Sequence, residues 1–215
     1  MTPKSEKPAK KSAKKSTAKR QSKIKDAATL RREMRETRRA LDDKTQQYAA
    51  TMFAYYFCRS RIYMNSDKIA CYLATDGEIA MDAVIERAWR DHKKVYLPVL
   101  HPYLNKLQFA RYTPDTILVN NRFGIGEPAI AARKRENPLT MEVVLTPLVA
   151  YDDQGNRIGM GGGFYDRSFA ALKRRNHWQR PLLIGCAHSC QKVTRIQNQS
   201  WDLPVASVFT ELGRS

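Results

Sequence analysis

"EVVLTPLVAY", residues 142–151, is a near-continuous apolar run, and "DDQGNRIGMGGGFYDR", residues 152–167, follows it at once. The run has the pattern of a strand buried on both faces, which is how strands of a parallel sheet read. Gly155, Gly159, Gly161, Gly162 and Gly163 are five of the ten glycines in the chain, and they crowd into nine positions. Glycine costs backbone entropy, so this density needs a reason. A linker is excluded, because a buried strand precedes the loop and a helix is expected from Phe164. Strand, glycine loop and helix in that order suit an anion: glycines let backbone approach closely, and a helix start offers free N–H groups. The spacing is not a dinucleotide fingerprint, since Phe164 stands where its last glycine belongs, and no Gly-Lys-Ser/Thr makes it a Walker loop. Arg157 and Arg167 bracket the loop with charge suited to phosphate oxygens. Asp166 either accepts from free amides or ligates a Mg²⁺ carried in by a nucleotide. Tyr165 either packs in the core or donates through its hydroxyl.

Working outward, "KIACYLA" (68–74), "KVYLPVL" (94–100), "LQFARY" (107–112), "PLLIGCAH" (181–188) and "VASVFTE" (205–211) read as strands. "IAMDAVIERAWRDHK" (79–93) reads as an amphipathic helix, and "FYDRSFAALKRR" as another. Before them, "IKDAATLRREMRETRRALDD" places Leu30, Met34 and Leu41 at helical spacing, and Asp42 or Asp43 caps "KTQQYAATMFAYYFCRS". Tyr55, Tyr56 and Phe57 on that second helix read as core. Alternating strands and helices give an α/β class: a three-layer αβα domain with a largely parallel sheet, preceded by N-terminal helices. Residues 24–215 form one domain in this reading.

Residues 1–23 differ in kind. "MTPKSEKPAKKSAKKSTAKRQSK" has no aromatic and almost no large apolar side chain, so it reads as a disordered basic tail. Of the formal charge of +17, residues 1–26 supply +8, from ten Lys or Arg against Glu6 and Asp26, which leaves +9 on the rest. The tail is either a solvated arm or, through phosphate contacts, a nucleic-acid arm. No apolar run approaches the ~20 residues that span a bilayer. Four cysteines without disulfide density and no secretory leader pattern fit a reducing, cytoplasmic setting. "CAHSC" (186–190) lacks a fourth ligand and the usual spacing for structural zinc.

With these blocks on the page, the chain resembles the 5-formyltetrahydrofolate cyclo-ligase family, also called 5,10-methenyltetrahydrofolate synthetases, over about residues 28–210. "GNRIGMGGGFYDR" is the specific motif. "LRREMRETRRAL", "ACYLATDGEI", "KVYLPVLHP", "NRFGIGEP", "LTPLVAYDDQGNR" and "WDLPVASVFT" follow the family's order. The resemblance implies ATP- and Mg²⁺-dependent closure of 5-formyltetrahydrofolate to 5,10-methenyltetrahydrofolate, with ADP and phosphate released. It implies ATP contacts from Arg31, Arg157, Gly159, Met160, Gly161, Gly162, Gly163, Phe164 and Tyr165. Arg157, Tyr165 and Asp166 are the implied catalytic group, and Asp166 with Asp202 the implied metal ligands. Leu73, Glu78 and Phe123 match folate-contacting positions, with Glu127 a weaker match.

For several of these the residues alone allow a plainer reading. Arg31 suits a solvated helix face, Asp202 a turn before Pro204, Glu78 a first-turn helix acid, and Phe123 core packing. Ala27 stands where the family commonly has an ATP-binding lysine; either Lys23 or Lys25 reaches the same phosphate, or that contact is absent. Gly162 stands where some relatives carry lysine. A basic rim on the body would also attract the carboxylates of a polyglutamylated folate. Two alternatives remain at this level: a noncatalytic folate- or nucleotide-binding protein, and a nucleic-acid binder working through the tail.

Overall fold

The computed structural model describes residues 26–174, 180–197, 199 and 201–215. The basic tail, with Lys23 and Lys25, lies outside the described residues. Helix α1 (Ala27–Arg39) starts at Asp26, whose carboxylate accepts from the amides of Ala28 and Thr29 at 2.9 Å. Helix α2 (Asp43–Cys58) is capped by Asp42, which accepts from the Thr45 amide at 2.7 Å. A short α3 (Arg61–Met64) leads into β1 (Lys68–Ala70), α4 (Asp82–Arg90), β2 (Lys94–Leu100) and β3 (Leu107–Arg111). A hairpin of β4 (Leu118–Asn120) and β5 (Gly126–Pro128) precedes β6 (Val143–Pro147). Then come the ribbon β7 (Ala150–Tyr151) and β8 (Arg157–Ile158), α5 (Phe164–Ser168), β9 (Leu182–Cys186), β10 (Ser207–Thr210) and β11 (Gly213–Arg214).

Seven strands form one sheet in the order β11-β10-β9-β6-β1-β2-β3. The five central strands pair in parallel, while β3 and β11 close the edges antiparallel. Strand β6 is buried throughout its Val143–Thr146 stretch, and its alternation explains the unbroken apolar run. Val143 and Leu145 face a layer holding Phe53, Phe57, Val84, Ile85 and Phe209, from α2, α4 and β10. Val144 faces the opposite layer, with Phe169, Leu203 and Val205. Helices therefore cover one face, and α5 with its following turn covers part of the other: the three layers expected.

Several elements are shorter than their sequence patterns. The 142–151 run divides because Val149 turns its amide from the sheet to Ile158 of β8, at 2.7 Å, while staying buried. After Ala70 the extended chain leaves the ladder once Cys71 has donated to the Tyr96 carbonyl at 2.8 Å. The segment from Phe164 makes only a five-residue α-helix before tightening into a 3₁₀ turn over Ala170–Arg174. On α2, Phe57 is core but Tyr55 is 47% exposed, because only one stripe of that helix meets the sheet.

Numbered along the chain, the parallel strands lie in the doubly wound order 2-1-3-4-5. Crossovers leave the first and third strands toward opposite faces, which opens a crevice at their carboxyl ends. Here those strands are β1 and β6. Helix α1 packs over the same end through Leu30 and Met34 against Ala150, Ile158 and Ile196.

Candidate active site

Two loops meet at this crevice. The first follows β1: Thr75–Glu78 closes as a turn, with the Glu78 amide donating to the Thr75 carbonyl at 3.0 Å. Asp76 and Gly77 both hold positive φ, 55° and 75°, the backbone that an Asp-Gly pair accepts in a tight turn. The second follows β6 through the β7–β8 ribbon and is the glycine loop, 159–163. Gly163 caps α5 with φ 61°, and a Cβ there would sit 2.8 Å from Nη1 of Arg167. Among the described residues, the amides of Met160, Gly161, Gly162 and Gly163 donate to no protein acceptor. They line an open, solvent-facing loop.

Arg157 rises from β8 beneath that loop, with its side chain only 4% exposed. Its Nη2 pairs with Asp166 Oδ1 at 2.7 Å, while its buried Nε has no hydrogen-bond partner. A buried unpartnered donor costs roughly 1–3 kcal/mol, which an anion at the loop would recover. Arg31 reaches across from α1 and donates from Nε to the Gly159 carbonyl at 2.9 Å, its guanidinium lying against Gly161. Arg167 is occupied differently from the expectation of a phosphate ligand. It donates to the Gly162 carbonyl and, at 2.9 Å, to that of Asn105, so it clamps the outside of the loop.

Asp166 also accepts from the Leu203 amide at 3.2 Å, which brings "WDLP" against the glycine loop and puts Asp202 one residue from that contact. Asp202 Oδ2 accepts from the Gln199 amide at 2.8 Å, the turn role that its neighbour Pro204 suggested.

Glu78 lies in the mouth of the crevice, with a side chain 9% exposed. It accepts from the Thr75 amide at 3.1 Å, and burial raises its pKa against the lowering influence of Thr75 and Arg38. The Tyr165 ring stacks on Phe169 at 6.4 Å, and burial, with Glu78 nearby, holds its hydroxyl firmly protonated. Leu73 packs beneath the β4–β5 hairpin, where a Cβ on Gly126 would meet it at 3.2 Å. Phe123, at the hairpin tip, is 57% exposed and is not a core residue. It sits edge-on to Phe164 at 5.9 Å and so leans over the glycine loop. Glu127 is a staple instead, accepting from the Leu100 amide at 2.9 Å and from Asn121 at 2.8 Å.

A family model described as the 5-formyltetrahydrofolate cyclo-ligase family matches residues 23–211. The chain belongs to this family. It is 38% identical over 181 residues to 5-formyltetrahydrofolate cyclo-ligase of Haemophilus influenzae, covering 83% of this chain and 92% of that one. To the Escherichia coli protein of the same name it is 39% identical over 178 residues, covering 82% and 96%. Among solved structures it is similar to Aquifex aeolicus 5,10-methenyltetrahydrofolate synthetase, at 27% identity and a TM-score of 0.73, over 87% of this chain and 91% of that one. A Mycoplasma pneumoniae 5,10-methenyltetrahydrofolate synthetase shares the fold at 19% identity and a TM-score of 0.65.

Within the family frame, the crevice holds residues that sequence reasoning passed over. Arg38 is fully buried, and its Nε and Nη2 donate to the carbonyl and Oδ2 of Asp76, each at 2.7 Å. Asp76 also takes Arg35 and Arg39. Burial of Asp76 opposes ionisation, yet the three arginine bonds outweigh it and lower its pKa to about 2. Buried His188 places Nε2 3.1 Å from the Gly77 carbonyl, and burial lowers its pKa. The Asp-Gly pair was a readable turn signal. Arg38 gave none, since a basic residue on an amphipathic helix looks solvated.

Among the described residues no three His, Cys, Asp or Glu side chains gather as a metal cage. Magnesium, however, is commonly held by one or two carboxylates together with substrate phosphates and waters. Asp166 at the loop suits that mode, since its Oδ2 carries no protein hydrogen bond among the described residues, and Asp202, next in chain to the Leu203 contact, likewise keeps Oδ1 open.

Proposed function

We propose that this chain closes 5-formyltetrahydrofolate to 5,10-methenyltetrahydrofolate at the expense of ATP, in the crevice between β1 and β6. Family membership supports the ring closure. The observation that carries the nucleotide reading is Arg157: a buried guanidinium with an unpartnered Nε, set under four open backbone amides. That is donor chemistry for a polyphosphate, supplied by backbone and arginine and without a loop lysine.

The formyl oxygen of the substrate is a poor leaving group. Attack of that oxygen on the γ-phosphate forms an O–P bond and expels ADP, and the carbon is then open to the neighbouring amine nitrogen of the same folate. The new C–N bond forms, that nitrogen gives up its proton to solvent, the phosphate leaves with the oxygen, and the cationic methenyl ring remains. Positioning and charge stabilisation do most of such work. In this reading Arg157 and the amides of residues 160–163 hold the transferring phosphoryl oxygens, and Arg31 fixes the loop at Gly159. Asp166 and Asp202 would hold Mg²⁺, whose charge neutralises phosphate oxygens when it is bound. Glu78 accepts from the donor-rich edge of the pterin, Leu73 floors the ring, and Phe123 covers it from the hairpin. Tyr165 stays neutral and, in this reading, serves the substrates as a hydroxyl donor.

The test is to mix the full chain, MgATP and 5-formyltetrahydrofolate and to follow methenyl absorbance and ADP together. Equal appearance of both is expected. Folate and nucleotide binding without either product would overturn the assignment.

A further inference from the structure

Arg38 is a costly residue to keep. A fully buried cation carries a desolvation penalty of several kcal/mol, recovered only when its donors are matched. Here they are matched across the whole crevice. Beyond Asp76, Nη1 donates to the Leu148 carbonyl at the end of β6 at 3.4 Å, and Nη2 meets Met160 Sδ in the glycine loop at 3.8 Å. The same Nη2 lies 3.7 Å from Glu78 Oε1. One side chain thus touches the turn after β1, the end of β6, the glycine loop and the acid at the mouth.

We propose that Arg38 is a positioning residue for the folate subsite, holding the Asp76–Glu78 turn in place and keeping Glu78 ionised and free to accept from a donor-rich ring. This rests on the reading that Glu78 faces the folate. Without the guanidinium, only Thr75, through its amide and hydroxyl on Oε2, is left to favour the ionised form of Glu78 against burial. Asp76 in its own turn is a like charge; Tyr72 beyond β1, Tyr165 on α5 and Cys186 on β9 offer no positive charge. His188 is buried and turned to the Gly77 carbonyl, while Arg35 and Arg39 are committed to Asp76. Arg38 is therefore the described cation in contact with Glu78. A protonated Glu78 would present a donor where an acceptor is needed. Thr75 alone, bonding Oε2, leaves Oε1 to be oriented by Arg38.

Steady-state kinetics of the full chain across roughly pH 5 to 8 test this, with folate and MgATP varied in turn. Arg38→Gln is expected to raise KM for 5-formyltetrahydrofolate about tenfold, to leave KM for ATP within about twofold, and to move the acid limb of kcat/KM for folate up by about one pH unit. In a Glu78→Gln background the same change should add little, because the group it acts through is already neutral. An acid limb that stays in place in folded Arg38→Gln, equal rises in both KM values, or full additivity with Glu78→Gln overturns the inference. If Arg38→Gln does not fold, Arg38→Lys replaces it. Its loss of the planar fork should still lift the limb, by about half a unit, and an unmoved limb again overturns the inference. Glu78→Gln alone separates the two layers of the argument. An unchanged folate KM in that variant sinks the folate reading of Glu78 itself, whereas a raised KM beside unmoved Arg38 variants sinks only the positioning role.

Discussion

Arg157, buried, and Asp166, half-buried, form a pair whose value lies in what each leaves open. Arg157 satisfies Asp166 with Nη2 and keeps Nε unpartnered; Asp166 spends Oδ1 on Arg157 and Leu203 and keeps Oδ2. On the proposed function, Arg157→Ala would remove a preorganised donor from the transferring phosphoryl group, a loss worth ~100- to 1,000-fold in kcat for comparable donors. Far-ultraviolet circular dichroism should stay that of the parent chain, since the surrounding ribbon is held by Ile158 and Ala150. Arg157→Lys should recover little, because one ammonium cannot both hold Asp166 and aim at the loop. Turnover near the parent rate in Arg157→Ala would place the phosphate elsewhere.

At the scale of elements, α1 is held to the crevice by charge as much as by Leu30 and Met34. Arg35, Arg38 and Arg39 converge on Asp76, and their bonds put its folded pKa at about 2, below the ordinary 3.8. A depressed carboxylate pKa contributes stability above the unfolded value and loses it as pH falls through the folded one. The contribution is roughly 2 kcal/mol, present above about pH 4 and lost toward pH 2. Urea midpoints measured over that window should fall for the parent chain and fall less steeply for Asp76→Asn, which starts lower at neutral pH. The β4–β5 hairpin makes a second element-scale case. Phe123→Ala should raise KM for 5-formyltetrahydrofolate about tenfold while Phe123→Trp keeps it, because the ring supplies a flat apolar face worth ~1 kcal/mol or more. Equal KM values in all three proteins would reduce the hairpin to a cover with no role in binding. These two elements also mark the limit of sequence reading. The β6 run and a cap at Asp42 or Asp43 were legible, because burial on both faces and capping each leave a local signature, and the structure takes Asp42. The convergence on Asp76 was not, because its partners stand about forty positions away and are of the type that ordinarily faces water. The place of Phe123 escaped for the same reason: an aromatic in a turn does not announce whether it points into a core or across a crevice.

For the whole molecule, the doubly wound order turns two separate loops into one site, and a ligand that bridges them should stabilise the fold as a unit. A nucleotide at one hundred times its Kd adds about 2.7 kcal/mol, which for a chain of this size is a rise of about 5–10 °C in Tm. The net charge of +17 complicates the reading, because any polyanion is attracted to such a surface. The measurement therefore belongs near 0.15 M salt, where the Debye length is ~8 Å, with inorganic tripolyphosphate as the comparison. MgATP should give the full shift, and tripolyphosphate a smaller one, since it fills the loop without the rest of the nucleotide. Magnesium alone should move Tm by less than about 1 °C, because two carboxylates, one of them paired with Arg157, hold a cation weakly until phosphate oxygens complete its shell. Arg157→Ala should lose most of the MgATP shift and the loop's share of the tripolyphosphate shift, keeping only what the basic surface contributes. A full shift from magnesium alone would mean a preformed metal site, and an unchanged shift in Arg157→Ala would mean that the glycine loop is not where the nucleotide sits.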